Sequence, residues 1–243
     1  MREPFYELGE HIAIDLPGAR ALFTTRRGGF STGPYESLNL GRLTDDNPRA
    51  VARNRAVLRD LVRVEPRFVR QVHGSRVMPI REGGRGRLEL PEADGQVTSR
   101  RDVAPSVLTA DCLPVAVAGD GAVAMLHAGW RGLAGGVIAA GVEALADLGA
   151  DGPFAAAIGP GAGPCCYEVG EGVHEAFAGL PAAVHVGRNL DLKAIARHQL
   201  VESGLTEVSD VGICTICSES ALLFSHRRDE GVTGRQAGVA WLT

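Results

Sequence analysis

The chain has 243 residues, a formal net charge of −4 and an apolar content of 45%. That length suffices for one large domain with its own core, and the slightly acidic balance excludes a general affinity for nucleic acid. The N-terminal residues contain no apolar stretch typical of a secretory signal, and no apolar run approaches the roughly 18 residues of a membrane span. We therefore expect a cytoplasmic protein without a membrane partner.

The first predicted elements are a strand, a long loop and a helix. Residues 19–25 are strand-like, and residues 26–41 are rich in Gly, Ser, Pro and Asn, which is typical of a loop. The sequence DDNP at 45–48 is a helix start signal. The helix that follows, over 49–62, carries apolar residues at near-helical spacing, namely Val51, Val57, Leu58 and Leu61.

The central part of the chain predicts a β-hairpin. Residues 67–80, which include His73, are strand-like, and residues 83–95 form a loop. Further on, two apolar runs flank Asp120-Gly121, a strong signal for a two-residue hairpin turn. If these two residues are the turn, His127 lies opposite Pro114, and Cys112 lies two residues further along the partner strand.

Cys112 and His127 are therefore expected to point to the same face of the hairpin. Opposite residues share a face, as do residues two apart, so their α-carbons would be about 7–8 Å from each other. Two such side chains can reach a common point, which suits a metal ion or a Cys–His dyad. An isolated His or Cys in an apolar strand is more often part of the core, and spacing alone leaves that alternative open.

A third candidate ligand is His73, which is also expected on a strand and is also followed by glycine. Two histidines and one thiolate leave a fourth tetrahedral position open, as in catalytic rather than structural zinc sites. Zinc in such a site can polarise an oxygen or activate a water near neutral pH.

The C-terminal half predicts a mixture of strands and helices without strict alternation. The pattern favours one α/β domain over 1–243, with mixed β-sheets flanked by helices. The predicted elements are a helix over 132–149, a strand running into a Gly/Pro loop over 154–170, helices over 171–180 and 191–204, a strand over 208–217, and a basic loop with a terminal strand over 224–243.

The remaining four of the five cysteines occur as two pairs. An odd total and a reducing compartment predict free thiols. Cys165 and Cys166 are adjacent in a Gly/Pro loop, and we interpret both as packing residues. Cys214 and Cys217 form a CxxC, but no helix start follows as in a thioredoxin-type motif, so we interpret them as packing at the end of a strand.

Six motifs together resemble one known family. In chain order they are FTTRRGGFSTGPYESLNLG, QVHG, TADCLP, HAGWRG, GPCCYEVG and RRD…TGRQ. From about residue 20 to the C-terminus, the chain is similar to the laccase-domain family, also called the YfiH-like, polyphenol oxidase or purine nucleoside phosphorylase family. The resemblance implies a layered α/β/β/α fold and one zinc ion held by His73, Cys112 and His127, which would also be the catalytic residues.

The same resemblance implies an activity on purine nucleosides and phosphate. The implied reactions are phosphorolysis of adenosine, inosine, guanosine and methylthioadenosine, and hydrolytic deamination of adenosine. For phosphate, the arginine fork of Arg131 or Arg228 is a candidate, and Arg55 and Asn39 are further candidate substrate contacts. A solvated or salt-bridged side chain is the alternative for each arginine. Asp111, next to Cys112, is a possible acid or a residue that supports the metal ligands from outside, although adjacent strand residues face opposite ways.

Three other functions stay open at the level of sequence. Cys112 and His127 could form the nucleophile and base of a thiol hydrolase that cleaves amides in peptidoglycan precursors. The zinc could instead stabilise a binding module without chemistry. Copper could occupy the site of a polyphenol oxidase, although a multicopper enzyme needs many closely spaced histidines and this chain has seven, none in an HxH. We expect a monomer or a homodimer.

Overall fold

The computed structural model describes residues 3–81 and 90–243, so most of the predicted loop over 83–95 lies outside the described residues. The strands within these ranges are β1 (Tyr6–Leu8), β2 (His11–Leu16), β3 (Ala19–Phe23), β4 (Glu65–Arg67), β5 (Val77–Pro79), β6 (Gly95–Thr98), β7 (Val103–Thr109), β8 (Leu113–Asp120), β9 (Ala122–Ala128), β10 (Asp151–Ile158), β11 (His185–Val186), β12 (Asn189–Leu190), β13 (Glu207–Asp210) and β14 (Gln236–Leu242).

The helices are fewer and mostly short. They are α1 (Pro48–Val62), α2 (Trp130–Ala134), α3 (Val137–Asp147), α4 (Glu171–Glu175) and α5 (Leu192–Glu202), with single 3-10 turns at Gly33–Tyr35 and Ala182–Val184. Among the described residues, none of these helices combines the length and the apolar composition that crossing a bilayer requires.

Two six-stranded sheets form the centre of the fold. The first has the order β1-β2-β3-β14-β7-β4, and the second has the order β13-β10-β8-β9-β6-β5. Each sheet is mixed, because β4 runs parallel to β7 in the first and β13 runs parallel to β10 in the second, while most other pairs are antiparallel. The prediction of an α/β fold with mixed sheets is confirmed.

Three apolar clusters define the layers. Phe23 and Val107 of the first sheet pack against Met125 and Ala157 of the second, so the sheets lie face to face. The outer face of the first sheet packs on α1, and the outer face of the second packs on α3 and α5. This is the expected α/β/β/α arrangement. Strands β8 and β9 are covered on both faces, which explains why they are continuous apolar runs instead of alternating patterns.

The hairpin forms in the predicted register. Gly121 occupies the turn with φ +82°, and His127 lies opposite Pro114. The first long helix also begins where the sequence predicts, since Pro48 opens α1 and the side chain of Asn47 accepts a hydrogen bond from Arg49 N.

Several predicted elements differ from the structure. Strands β1 and β2 were not predicted at all. The predicted helix over 132–149 is two helices, because Gly136 adopts a left-handed conformation at φ +85° between α2 and α3. The helix predicted over 171–180 ends at Glu175, and the strand predicted over 208–217 ends at Asp210, two residues before Gly212 turns the chain at φ +73°.

The prediction that His73 lies on a strand is wrong. Only the ends of the segment 67–80 are extended, in β4 and β5, and His73 lies in the loop between them with φ +59°. The reason lies in Asp94, whose carboxylate accepts hydrogen bonds from the backbone N–H groups of Val72, His73 and Gly74. These three donors are then not available for a strand ladder.

Candidate metal centre

The fold brings the three predicted ligands together. One ligand atom from each of His73, Cys112 and His127 lies within 4.8 Å of the others, and the two imidazole rings meet edge to face at 4.9 Å between centroids. His127 is on β9, Cys112 lies in the bend that leads into β8, and His73 is in the loop between β4 and β5. His127 is buried while His73 is exposed, so the centre opens to solvent on the His73 side.

An acidic residue that the sequence analysis missed orients two of these ligands. Asp94 has no exposed surface, and its Oδ1 lies 2.8 Å from Nδ1 of His127. Burial works to raise the pKa of Asp94, but hydrogen bonds from His127 and from the backbone of Gly74 hold it below its usual value. The carboxylate therefore accepts the Nδ1 proton of His127, so Nε2 is the atom that would face a metal.

The position of Asp94 also explains the unusual backbone of His73. A left-handed conformation is uncommon for a residue with a side chain. Here the N–H of His73 donates to the same Asp94 Oδ1 at 2.9 Å, so one buried carboxylate fixes the loop of one ligand and the ring of the other. In the sequence, Asp94-Gly95 resembles an ordinary turn, and only its place at the start of buried β6 could have distinguished it.

Charge at the centre favours the ligand form of the cysteine. Burial works to raise the pKa of the Cys112 thiol, but the charges and hydrogen bonds of His127 and His73 outweigh it and lower the pKa. Burial works to lower the pKa of His127, yet Cys112 and Asp94 together raise it. Cys112 is therefore a thiolate near neutral pH, which is the species that binds a metal or attacks a carbonyl.

The residues fit a zinc ion. A Cβ on Gly129 would lie 2.8 Å from Sγ of Cys112 and 3.4 Å from Cδ2 of His73, so a glycine is needed for these two ligands to approach each other. The donor set of two imidazole nitrogens and one thiolate suits Zn²⁺, and copper accepts the same donors. Three protein ligands leave a fourth tetrahedral position for water or substrate.

Asp111 points away from this centre. Its carboxylate accepts hydrogen bonds from Thr215 Oγ1 at 2.6 Å, Ser225 Oγ at 2.7 Å and the backbone N of Arg227 at 2.7 Å. These bonds join the residue before Cys112 to two C-terminal loops. The structure therefore gives Asp111 a positioning role and argues against the predicted role as an acid.

Two wall residues link a cavity of about 430 Å³ to the centre, although none of the three ligands lines it. Trp130, which begins α2 three residues after His127, forms part of its wall. Tyr167 is also in the wall, and burial followed by the charge of Cys112 raises the pKa of its hydroxyl to about 12. The complete lining is Trp130, Tyr167, Glu168, Val169, Gly170, Val173, Arg188 and Arg227. The volume lies in the usual range for small-molecule sites.

The predicted arginines lie in different surroundings. Arg131 is exposed, and its guanidinium lies 4.4 Å from the centre of the Trp130 ring, which lines the cavity, whereas Arg131 itself does not. Arg228 donates four hydrogen bonds within the protein, two of them to Asp229 and two to backbone carbonyls. As a phosphate contact, Arg228 stays a prediction, and most of its side-chain donors are already engaged within the protein. Its neighbour Arg227 lines the cavity and lies 5.2 Å from the Tyr167 ring.

The two N-terminal candidates are both largely enclosed. Asn39 is fully buried, and its amide donates to Thr44 and Asp46 and accepts from the backbone of Gly41 and Arg235, which leaves it no free donor. Arg55 donates to the carbonyl of Leu40 and stacks on Phe68.

Burial and the charge of Arg42 lower the pKa of Arg55 to about 9, which shows that its charge is poorly compensated. Arg235, which was not among the candidates, lies close enough to Cys112 and Asp111 for their charges to act on it. Arg227 therefore lies at the cavity and Arg235 lies within electrostatic reach of the centre, whereas Arg55 is connected to Arg235 through the backbone of Leu40.

The other four cysteines also meet. One sulfur from each of Cys165, Cys166, Cys214 and Cys217 lies within 4.8 Å of the others. Cys165 and Cys217 are exposed, so the interpretation of these two residues as packing is wrong. The chain pairing that brings them together, between the ends of β10 and β13, is not apparent from either motif alone.

Comparison with known proteins gives consistent matches. A family model described as multi-copper polyphenol oxidoreductase laccase matches residues 20–243. A purine nucleoside phosphorylase of Streptomyces coelicolor is 40% identical over 93% of this chain and 96% of its own length. One of Pseudomonas aeruginosa is 39% identical over 92% of this chain and 93% of its own length. Among solved structures, a hypothetical protein YfiH of Bacillus licheniformis superimposes over the whole of both chains with a TM-score of 0.92 at 30% identity.

Proposed function

Because this chain belongs to the multi-copper polyphenol oxidoreductase laccase family, we propose that it is a zinc-dependent purine nucleoside phosphorylase. The observation that carries the proposal is an open three-ligand centre next to a cavity with aromatic and arginine side chains. Relatives that carry the name purine nucleoside phosphorylase and match nearly the full chain support the choice of substrate.

The residues of the centre have distinct tasks in this proposal. His73, Cys112 and His127 would hold the zinc ion, which when bound supplies a Lewis acid. Asp94 keeps the proton on Nδ1 of His127 and holds the His73 loop in place. Gly129 leaves the space in which Cys112 and His73 approach each other.

The cavity supplies binding and orientation. The rings of Trp130 and Tyr167 offer faces on which a purine can stack, and Arg227 and Arg131 provide planar donors for phosphate oxygens. A phosphate oxygen then attacks the anomeric carbon of the ribose while the bond to the purine nitrogen breaks. Tyr167 is protonated at neutral pH, as its raised pKa keeps it further from ionisation than an ordinary tyrosine, and its hydroxyl can donate a hydrogen bond to the departing base.

The proposal extends to the individual substrates. Adenosine, inosine, guanosine and methylthioadenosine share the purine and ribose that this cavity would contact, and adenosine would also be deaminated hydrolytically. Arg55 remains a proposed phosphate contact, because it is a desolvated cation whose charge is not balanced by a nearby carboxylate in the described residues.

The test is incubation of the purified protein with inosine and phosphate, followed by chromatography of hypoxanthine and ribose 1-phosphate. We expect both products in equal amounts, and neither with the variant Cys112→Ala, whose fold is checked by circular dichroism. Adenosine without phosphate tests the deaminase separately, through formation of inosine. If the wild-type protein releases no more free base than the variant, the phosphorylase proposal is refuted.

A second function is favoured by one specific observation. Cys112, His127 and Asp94 form a line in which the thiolate adjoins an imidazole whose Nδ1 is held by a buried carboxylate. This is the arrangement of a cysteine hydrolase, which would cleave an amide, for example in a peptidoglycan precursor. Zinc content separates the two functions: bound zinc would protect Cys112 from iodoacetamide, whereas a hydrolase would be active without metal and inactivated by the reagent.

A further inference from the structure

The four remaining cysteines have the geometry of a closed metal site. We propose that Cys165, Cys166, Cys214 and Cys217 bind a second zinc ion through four thiolates, separate from the three-ligand centre. The site would join the loop after β10 to the turn after β13. It concerns binding and stability, and it does not depend on which reaction the first centre performs.

The distances between the sulfurs fit a single ion. The four sulfurs lie within 4.8 Å of one another, and those of Cys165 and Cys217 are 3.5 Å apart. With zinc–sulfur bonds of about 2.3 Å, the sulfurs of a tetrahedral site lie about 3.8 Å apart. An iron–sulfur cluster needs room for several irons and sulfides between its cysteines, which this spacing does not provide.

The backbone explains how adjacent cysteines can share one ion. In a strand, neighbouring side chains point to opposite faces. Here Cys165 and Cys166 lie in a turn, in which the N–H groups of Cys166 and Tyr167 both donate to the carbonyl of Gly163, at 3.1 and 3.0 Å. Cys214 and Cys217 lie in a second turn, closed by a hydrogen bond of 3.0 Å from Ser218 N to Cys214 O.

The main chain joins the two turns. Strands β10 and β13 run parallel, and beyond their ends Gly161 and Cys214 form an isolated parallel bridge. The N–H of Gly163 donates to the sulfur of Cys214 at 3.2 Å. A Cβ on Gly163 would lie 3.1 Å from Cβ of Cys214 and 3.4 Å from the sulfurs of Cys165 and Cys214, so the main chain at Gly163 packs directly against both turns.

Four ionised cysteines held this close together need a positive charge between them. Four thiolates at this separation repel one another, so the ionised set is stable only when a positive charge lies between them. Zinc is the divalent ion that four cysteines most commonly hold as a structural site, and with four protein ligands it has no open position for substrate.

The four-cysteine site lies next to residues of the cavity wall and of the first centre. Tyr167 to Gly170, which line the cavity, follow directly after Cys166. Thr215, between Cys214 and Cys217, donates to the buried carboxylate of Asp111, the residue before Cys112. A zinc ion here would therefore hold one wall of the cavity and the neighbour of the first centre in place.

Metal counting on the full-length protein tests the proposal. Protein expressed with zinc and purified with reductant is analysed for metal by mass spectrometry. We expect about two zinc ions per chain in the wild type, and about one both in Cys112→Ser and in the double variant Cys165→Ser/Cys217→Ser. With Co²⁺ in place of zinc, the thiolate-to-cobalt absorption should persist largely in Cys112→Ser and decrease strongly in the double variant.

A second measurement covers the case in which the double variant does not fold. Thiol titration of the native wild type should show Cys165, Cys166, Cys214 and Cys217 protected until a strong chelator is added. About one zinc per chain, lost entirely in Cys112→Ser, would overturn the proposal. So would a Cys165–Cys217 disulfide in zinc-supplemented, reduced protein. Two zinc ions without phosphorolysis of inosine would refute the proposed function and leave this site intact.

Discussion

Two clusters of candidate metal ligands are linked through the hydrogen bond from Thr215 to Asp111, and they differ in the number of donors and in the groups that hold the donors in place. The centre of His73, Cys112 and His127 has three mixed donors, a buried carboxylate that orients two of them, and a neighbouring cavity. The cluster of four cysteines has sulfur donors alone, held by turns and backbone N–H groups. An incomplete, oriented ligand set is suited to chemistry, whereas a complete one is suited to stability.

The strongest test of this comparison makes the same change in both clusters. Cys112→Ser should abolish phosphorolysis, because it removes a ligand of the open centre, and should change the melting temperature by no more than about 3 °C. Cys166→Ser should lower the melting temperature by roughly 4–8 °C, as expected for a loss of about 2 kcal/mol in a chain of this size, with measurable turnover at a raised KM. Calorimetry and the inosine assay on both variants measure the two effects, and the reverse pattern would exchange the roles of the clusters.

The next test removes the carboxylate that orients the first centre. Asp94→Asn should lower zinc affinity or turnover by about 10–100-fold, since the amide no longer holds the Nδ1 proton of His127 as a carboxylate does. Asp229→Asn is the matched control, because Asp229 also accepts hydrogen bonds from several groups but contacts neither histidine. Competition with a zinc indicator measures the affinities, and an equal loss in both variants would contradict an orienting role for Asp94.

A smaller effect is expected at a residue that lies close to both clusters. Tyr167 follows Cys166 and lines the cavity beside Cys112. Tyr167→Ala should raise the KM for inosine about tenfold, because stacking of a base on an aromatic ring contributes about 1–3 kcal/mol. Tyr167→Phe retains the ring and should keep the wild-type KM within about threefold. Equal KM values for the alanine and phenylalanine variants would exclude stacking at this position.

The smallest effects concern the two glycines against which the sulfurs pack. Gly129→Ala places a Cβ 2.8 Å from Sγ of Cys112, closer than the 3.4 Å that Gly163→Ala creates at the sulfurs of Cys165 and Cys214. We expect the first variant to weaken zinc binding at the open centre several-fold and the second to leave metal content unchanged. Metal analysis after dialysis against a mild chelator distinguishes them, and a greater loss in Gly163→Ala would reverse the order.

Local sequence signals were enough to predict the β8–β9 hairpin and the first long helix, α1. The register of β8 and β9 follows from the Asp120-Gly121 turn, and α1 begins at Pro48 after the Asn47 cap. Both elements depend on interactions between residues close in sequence. The same register pointed to Cys112 and His127 as neighbours, although Cys112 lies in the bend before β8 and not on the strand itself. His73 was also named from the residues, but on a strand that the structure replaces by a loop.

Contacts between segments far apart in the sequence were decided only by the tertiary structure. Asp94 and His73 are 21 residues apart, and their hydrogen bond replaces the strand that local pattern predicted for the His73 segment. The two cysteine pairs are joined because β10 and β13 run parallel, so their ends lie at the same edge of the sheet although two α-helices, α4 and α5, and the β11–β12 hairpin separate them in sequence. The sequence by itself determined the apolar runs, turns and caps, because these depend on near neighbours. Which groups each polar side chain contacts was decided by the packing of the two sheets.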